Sequence, residues 1–552
     1  MTTLTAADDV ARSLAEYGQP DACAAELLCD RHPEDAIAFR VVDPDLTVTE
    51  LSFGELRRRS ERFAAALAGL GVGPGDAVGV LMGKSVELPV VLLGLWRLGA
   101  VHVPLFTAFA APAIAMRLEG SGARLVVADA DQVEKLAGGA PGAEGLQVVQ
   151  VGGERPSREG WHRYGDLVVE DVDLPAVQPA RQGPDGPLVV LFTSGTTGAP
   201  KGVPVPVRSL AALTRYVIDA LDVRDEDVFW NAADPGWAYG LYYAVLAPMA
   251  LGRESILLHA GFSPQLTWRV LDELGVTNFA GAPTIYRALR ADAASAERSV
   301  RLRRASSAGE PLTPEVVSWS ASALGVTVRD QYGQTEHGMV AANAWRDELR
   351  EEMPPGSMGR ALPGWSCAVL LEERDEVAPA GTVGRLAIDT AASPLMWFTG
   401  YLNAPDKTAE RFTEDGRWYL TGDTAAQDEQ GRLFFSARDD DVIIMAGYRI
   451  SPFDVESVLV THDVVAEAAA VAAPDQLRGE VLEAYVVLRP GREGSPELVA
   501  ELQQLVKTQF AAHAYPRAIH FVDELPKTPS GKIQRFKLRE EARARQAESD
   551  RV

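Results

Sequence analysis

Along the first two hundred positions the apolar residues come in short runs whose period keeps changing. Ser52-Phe-Gly-Glu55 has the spacing of a helix capping box, and behind it Leu56, Phe63, Leu67 and Leu70 recur on one helical face until Gly71 ends the segment. Residues 77–81 read as a strand, about 85–98 as a helix, and 101–105 and 124–128 as short apolar strands flanking a helical 111–118. This alternation predicts α/β layering. The continuous run Pro187-Leu-Val-Val-Leu-Phe192 predicts a buried strand, whereas the Gly- and Pro-rich text of 138–160 and 182–187 predicts surface connection.

Past Ser451 the pattern changes. Residues 454–460 read as a short helix and 468–473 and 481–488 as strands, so a smaller α+β domain is expected to begin near residue 440. The division expected is a large multi-layer N-terminal α/β domain over 1–437 and a small, mobile C-terminal domain over 438–552.

A length of 552 residues requires more than one hydrophobic core, and 47% hydrophobic with 24% charged residues is globular composition. The formal net charge of −24 repels polyanions, so neither nucleic acid nor a membrane surface is an expected partner. Any anionic ligand must meet locally basic ground. Cys23, Cys29 and Cys367 lack metal or disulfide spacing and read as packing residues of a reduced compartment. The first residues carry no secretory pattern, and the apolar stretch 89–106 is broken by Arg97, His102 and Pro104, so a cytoplasmic location is expected.

Thr193-Ser-Gly-Thr-Thr-Gly-Ala-Pro-Lys-Gly202 follows the buried strand directly. Hydroxyls of Thr193, Ser194, Thr196 and Thr197, a backbone freed by Gly195 and Gly198, and the ammonium of Lys201 form a loop suited to phosphate oxygens. It is not a P-loop, because Pro200 precedes the lysine and Gly202 follows it. By composition alone, a Ser/Thr/Gly-rich surface turn is an equal alternative.

Further segments follow in order: Ala308-Gly-Glu-Pro-Leu312, Asp330-Gln-Tyr-Gly-Gln-Thr-Glu336, Tyr419-Leu-Thr-Gly-Asp423, Arg438-Asp-Asp-Asp-Val-Ile443 and Pro526-Lys-Thr-Pro-Ser-Gly-Lys532. With the first loop they resemble the adenylate-forming (AMP-binding) superfamily over about residues 50–540. Trp230-Asn-Ala-Ala-Asp-Pro-Gly-Trp237, Ala446-Gly-Tyr-Arg-Ile-Ser-Pro-Phe-Asp-Val-Glu456 and Arg478-Gly-Glu-Val481 look most like acetyl- and medium-chain acyl-CoA synthetases.

The resemblance implies an acid–thiol ligase that joins a carboxylate to the α-phosphate of ATP, expels pyrophosphate and passes the acyl group from AMP to coenzyme A. The protein would form no covalent bond, so catalysis would rest on orientation and on cations placed where charge develops. Thr193, Ser194, Gly195, Thr196, Thr197, Gly198 and Lys201 would cradle the β- and γ-phosphates. Glu336 would hold Mg²⁺, a hard cation that takes carboxylate and phosphate oxygens, and Thr335 would orient the α-phosphate or carboxylate. Gly309, Glu310 and Pro311 with Asp330, Gln331, Tyr332, Gly333 and Gln334 would form the adenine pocket. Asp423 would accept the ribose hydroxyls, and Arg438 would contact ribose and phosphate, beside a hinge at Asp440. The family's usual glycine before that arginine is Ala437 here.

Lys532 would dock at the carboxylate–phosphate junction and then withdraw as the C-terminal domain swings, exposing a face with Gly447 along the CoA channel. Arg449 would serve the phosphates in the first conformation, and Lys507 lies at a spacing that suits the CoA phosphates. Acylation of Lys532 by a lysine acetyltransferase, reversed by a deacetylase, would cancel its charge.

Acetate-restricted relatives carry tryptophan where this chain has Gly333, so an acyl group larger than acetyl (medium-chain, branched or aryl) is expected, with Trp237, Tyr239 and Tyr242 as further walls. No charged residue is placed to read a second carboxylate or amine, which favours a neutral tail. His337 reads as helix surface rather than catalyst. Two alternatives stay open at this level: a stand-alone adenylation enzyme loading a carrier protein, and a non-catalytic nucleotide-binding protein. The sequence leaves the oligomeric state undecided.

Overall fold

The computed structural model describes residues 5–136, 145–154, 158–169, 175–193, 200–292, 300–438, 441, 443–445, 448–475, 479–511, 514–528 and 533–549. Two large sheets build most of the chain. In the first, seven strands run in the order His162–Arg163, Gln147–Val151, Leu125–Asp129, Ala77–Leu81, Val101–Pro104, Pro187–Thr193, Lys201–Pro206. All neighbours are parallel except the last pair, whose antiparallel register sets Thr193 opposite Lys201. Helices Glu87–Arg97 and Ala111–Ser121 make crossovers, and nearly every residue of the first is buried, as a helix covered on all sides requires.

The second sheet has ten strands. Phe229–Asn231, Asn278–Gly281, Arg304–Ala308 and Arg329–Gln334 are parallel, and the antiparallel set Gly338–Ala342, Ser357–Ala361, Leu433–Arg438, Trp418–Gln427, Val383–Asp389 and Cys367–Leu370 continues it. Parallel strands need long crossovers, which is why segments distant in sequence finish side by side. A single hydrophobic cluster runs from Val10 to Leu433 beneath both sheets.

Beyond residue 440 a smaller domain has its own core, from Ile443 to Ala542. It contains the helix Pro452–Leu459, the three-stranded sheet Val465–Asp475, Gly479–Leu488, Ala518–Phe521, and helices Pro496–Gln509 and Arg535–Ser549. The fold is therefore α/β, a large domain of mixed sheets and helices followed by a small α+β one. Among the described residues no helix is long and apolar enough to cross a membrane.

The 77–81, 101–105, 124–128 and 187–192 segments are strands and the 454–460 segment a helix, close to the expected limits. Two expectations are corrected. Gln147–Val151, inside text read as surface connection, is a strand with four buried residues paired to Leu125–Asp129. At Ser52 only half the capping box forms: its Oγ accepts from the Glu55 amide at 3.2 Å, but the Glu55 carboxylate accepts from Arg59 instead of reaching back. The helix Phe53–Gly69 nevertheless buries Leu56, Phe63 and Leu67, and ends before Gly71 at φ +87°.

Candidate active site

The ends of the motif strands converge on a cavity of about 480 Å³. Its walls include Thr193 and Lys201 of the first sheet, Gly309, Glu310 and Pro311, the whole run 330–336, and Asp423 and Arg438. Trp237 lines it as well, and from the small domain come Phe453, Glu456, Thr528, Ile533 and Arg535.

Glu336 is neither a helix cap nor solvated. It is 7% exposed, and its Oε1 accepts a 2.7 Å hydrogen bond from the Tyr401 hydroxyl. Tyr401 in turn accepts from Arg411 Nε at 3.1 Å, and the Lys201 ammonium lies 4.7 Å from the centre of its ring. Burial, then repulsion from Arg411, pulls the Lys201 pKa below its ordinary value, with Glu336 opposing. Two cations and one carboxylate thus meet near Tyr401, with Lys201 opposite the strand end at Thr193. In a chain of net charge −24 this is the locally basic ground that a polyphosphate requires. Mg²⁺ fits a single buried carboxylate when phosphate oxygens complete its shell, and no group of three or more His, Cys, Asp or Glu suited to a metal occurs among the described residues.

Tyr401 and Arg411 were not singled out by sequence. Neither lies in a glycine- or hydroxyl-rich motif, and Arg411 is 75 positions from Glu336, so only the fold joins them. One trace was present: a Cβ at Gly422, in the Thr-Gly-Asp motif, would stand 2.6 Å from Arg411 Nη1, and Gly422 has φ +74°. That glycine makes room for the guanidinium, whose Nη1 donates to the Thr421 carbonyl at 3.2 Å.

Asp423 is 6% exposed and opposite Arg438 in the sheet register. Its Oδ2 accepts from Tyr332 at 2.5 Å and from Gln334 Nε2 at 2.8 Å, which leaves acceptor capacity on Oδ1. Gln334 is braced further by the Thr421 carbonyl and the Tyr419 hydroxyl. The acids of the other two motifs are engaged within the protein, one by backbone amides and one by side chains. Asp330, its pKa raised to about 8 by burial, accepts from the amides of Leu312 and Gln331, and Glu310 accepts from Thr284 and Arg287. Gly309 sits at φ +99°, which explains the glycine at the head of that loop.

Of the expected acyl walls, Trp237 and Gly333 face the cavity. Trp237 packs its ring against Phe106 and Phe109, both 5.4 Å away. Tyr242 is core, 1% exposed, and its hydroxyl holds the Thr335 carbonyl at 2.9 Å. Tyr239 joins a tyrosine cluster through a 3.0 Å contact with the Tyr216 hydroxyl. Neither of these lines the cavity. Gly333 has a backbone reason of its own: a Cβ there would lie 2.2 Å from the Gly338 carbonyl.

His337 is corrected outright. It is 0% exposed, in the turn between two strands, with Nδ1 2.8 Å from the Gly338 carbonyl and its pKa lowered to about 4 by burial. Lys507 stands on the helix Pro496–Gln509, 3.9 Å over the Tyr515 ring and away from the cavity wall. Ser194, Gly195, Thr196, Thr197, Gly198, Asp440, Gly447 and Lys532, and the side chain of Arg449, lie outside the described residues. Thr528 and Ile533, which flank the segment containing Lys532, both line the cavity.

Within the small domain, Arg535 donates to Glu456 at 2.7 Å and to Asp441 at 3.4 Å, and Arg539 donates to Asp441 at 2.5 Å. These bonds fasten the start of the helix Arg535–Ser549 to the residue beside Asp440.

Comparison with known proteins agrees with this geometry. The family model described as AMP-binding enzyme matches residues 26–402, and that of the AMP-binding enzyme C-terminal domain matches 454–532. The chain is 36% identical to the acetyl-coenzyme A synthetase of Bacillus subtilis over 92% of its length and 89% of the relative's. It is 33% identical to a mitochondrial acyl-coenzyme A synthetase of Mus musculus, covering 91% and 86%. Among solved structures, the acyl-CoA synthetase of Brucella canis superposes with a TM-score of 0.76 at 44% identity over 97% of both chains. An anthranilate CoA ligase in complex with anthranoyl-AMP superposes with a TM-score of 0.85 at 26% identity, covering 96% and 99%. With both models matched in order and acyl-CoA synthetases aligned nearly end to end, the chain belongs to the adenylate-forming AMP-binding enzyme family.

Proposed function

We propose that the protein is an ATP-dependent, AMP-forming acyl-CoA synthetase, which activates a carboxylic acid as its acyl-adenylate and transfers the acyl group to coenzyme A. One observation carries the reading. A single cavity is walled by the strand ends of the phosphate loop, by the nucleotide motifs, and by the residues flanking the Lys532 segment. The relatives' names point to the same activity.

In this reading the carboxylate oxygen attacks the α-phosphorus of ATP and pyrophosphate leaves. Lys201 and Arg411 offset the charge gathering on the leaving group, Thr335 orients the reacting centre, and Asp423 holds the ribose through the oxygen that Tyr332 and Gln334 leave open. Glu336, steadied by Tyr401, would hold Mg²⁺, which when bound neutralises phosphate charge. Lys532 docks for this step, and rotation of residues 438–552 about Asp440 then withdraws it so that the CoA sulfur can attack the acyl carbon with AMP as leaving group. Acylation of Lys532 would block the first step only. The acyl group is taken to be larger than acetyl: the wall has no side chain at Gly333, and Trp237 adds an aromatic surface to the cavity.

Purified protein is to be given ATP, Mg²⁺, CoA and a panel of straight, branched and aryl acids, with pyrophosphate and thioester measured separately. Acid-dependent pyrophosphate release with stoichiometric acyl-CoA is expected. No release with any acid would refute adenylate formation, and release with thioester on a supplied carrier protein but not on CoA would reassign the acceptor.

A further inference from the structure

We propose that Ser451 and Phe453 are positioning residues that seat the small domain for the adenylate-forming step, through a latch onto a β-bulge at Ser436. The inference rests on the synthetase reading above and on its rotation of residues 438–552. In the strand Leu433–Arg438 the register against Trp418–Gln427 slips: Thr424 faces Ala437 and Ala425 faces Phe435, which leaves Ser436 as an extra residue. On the other side the pairing with Ser357–Ala361 takes up Leu433 and Phe434 only. A residue left over in this way is not held by the ladder, and bulges recur beside active sites, where a strand has to be re-aimed.

The Ser436 carbonyl accepts a hydrogen bond from the Ser451 hydroxyl, across the division near residue 440. Ser451 is 6% exposed and is also the N-cap of the helix Pro452–Leu459, its Oγ accepting from the Asp454 amide at 3.3 Å. A hydroxyl has one proton and two lone pairs, so a single atom caps its own helix and fastens that helix to the large domain. Two residues on, the Phe453 ring meets Phe435 edge to face, with centroids 6.3 Å apart and planes at 77°, and both residues line the cavity.

The seated helix carries the rest of the small domain with it. Glu456 accepts from the Ala470 amide at 2.8 Å and from Arg535 at 2.7 Å, so Pro452–Leu459 is tied both to the strand Val465–Asp475 and to the first residue of the helix Arg535–Ser549. Ile533 and Arg535, just after the segment containing Lys532, line the same cavity as the nucleotide motifs. Rotation has to part Ser451 from Ser436 and Phe453 from Phe435. A loosened latch therefore lowers the share of molecules competent for the first half-reaction and leaves the second as fast or faster.

The two half-reactions are to be measured apart: acyl-adenylate formation as pyrophosphate release without CoA, and thioester formation from supplied acyl-adenylate and CoA, with the acid of the panel above that releases most pyrophosphate. Ser451→Asp keeps an acceptor for the cap but sets a carboxylate without a proton against the Ser436 carbonyl. It should slow acyl-adenylate formation by about tenfold or more, with thioester formation no slower than in the unaltered protein. Ser451→Thr keeps both cap and proton and should retain about half the rate or more. Phe453→Leu should slow the first step by about threefold, again sparing the second. Equal loss of both half-reactions in Ser451→Asp and Phe453→Leu overturns the inference, as does a first step unchanged in both, a loss confined to thioester formation, or Ser451→Thr as slow as Ser451→Asp. Should Ser451→Asp fail to fold, judged by its thermal midpoint, Phe453→Leu, at a half-buried position, decides alone. Absence of release with every acid in the unaltered protein would instead remove the synthetase reading, and this inference with it.

Discussion

Glu336 shows what one side chain inherits from its neighbours. The Arg411 to Tyr401 to Glu336 chain fixes the carboxylate in place, and groups that orient a metal-binding side chain matter nearly as much as the ligand itself. Tyr401→Phe should therefore raise the Mg²⁺ concentration for half-maximal pyrophosphate release by about 10-fold, read from a titration at saturating ATP. His337 offers a test in pH. Because the folded protein holds it neutral down to about pH 4, the unfolded chain takes up a proton between its ordinary value of 6.5 and 4 that the native one refuses. Stability is lost as pH falls through that window, by about 3 kcal/mol at most from this group. His337→Phe keeps a ring against Trp365 and Tyr419 and should flatten the dependence, measured as urea midpoints at pH 7 and 4.5. The letters Thr-Glu-His suggested an exposed imidazole; burial there comes from strands 80 positions on, which no local pattern records.

At the scale of elements, strands with apolar runs were legible because burial on both faces leaves a continuous signature. Gln147–Val151 escaped because glycines and prolines on either side outweighed five residues. Neither the order of the ten-stranded sheet nor the half-made capping box at Ser52 could be read, since the first depends on pairings as distant as Ser357 with Phe434 and the second on where Arg59 reaches. The Gly333 hairpin carries a prediction of its own. Its register shift against Met339 presses the backbones together at Gly338. Gly333→Ala should then cost on the order of 3 kcal/mol and lower the thermal midpoint, even though a methyl group is far smaller than the tryptophan of acetate-restricted relatives. A midpoint unchanged within a degree would mean the hairpin yields freely. The motifs bring Thr193, Lys201, Glu336 and Asp423 to one cavity because each is local, while Tyr401 and Arg411 belong to no motif.

For the molecule as a whole, the decisive question is whether two half-reactions share one cleft in turn. Lys532→Ala should abolish acyl-adenylate formation, by about 100-fold or more, yet still convert supplied acyl-adenylate and CoA to thioester. Equal loss of both would count against rotation of the small domain. A division near residue 440 was expected from a change of pattern, and a separate hydrophobic core draws on residues from Ile443 to Ala542. The Arg535, Arg539, Asp441 and Glu456 charges lie wholly on the small-domain side of that division. A hinge whose ion pairs bridged the moving parts would have to strip and rehydrate them on every turnover. In the proposed rotation the clasp travels as luggage, so the swing breaks none of these described ion pairs.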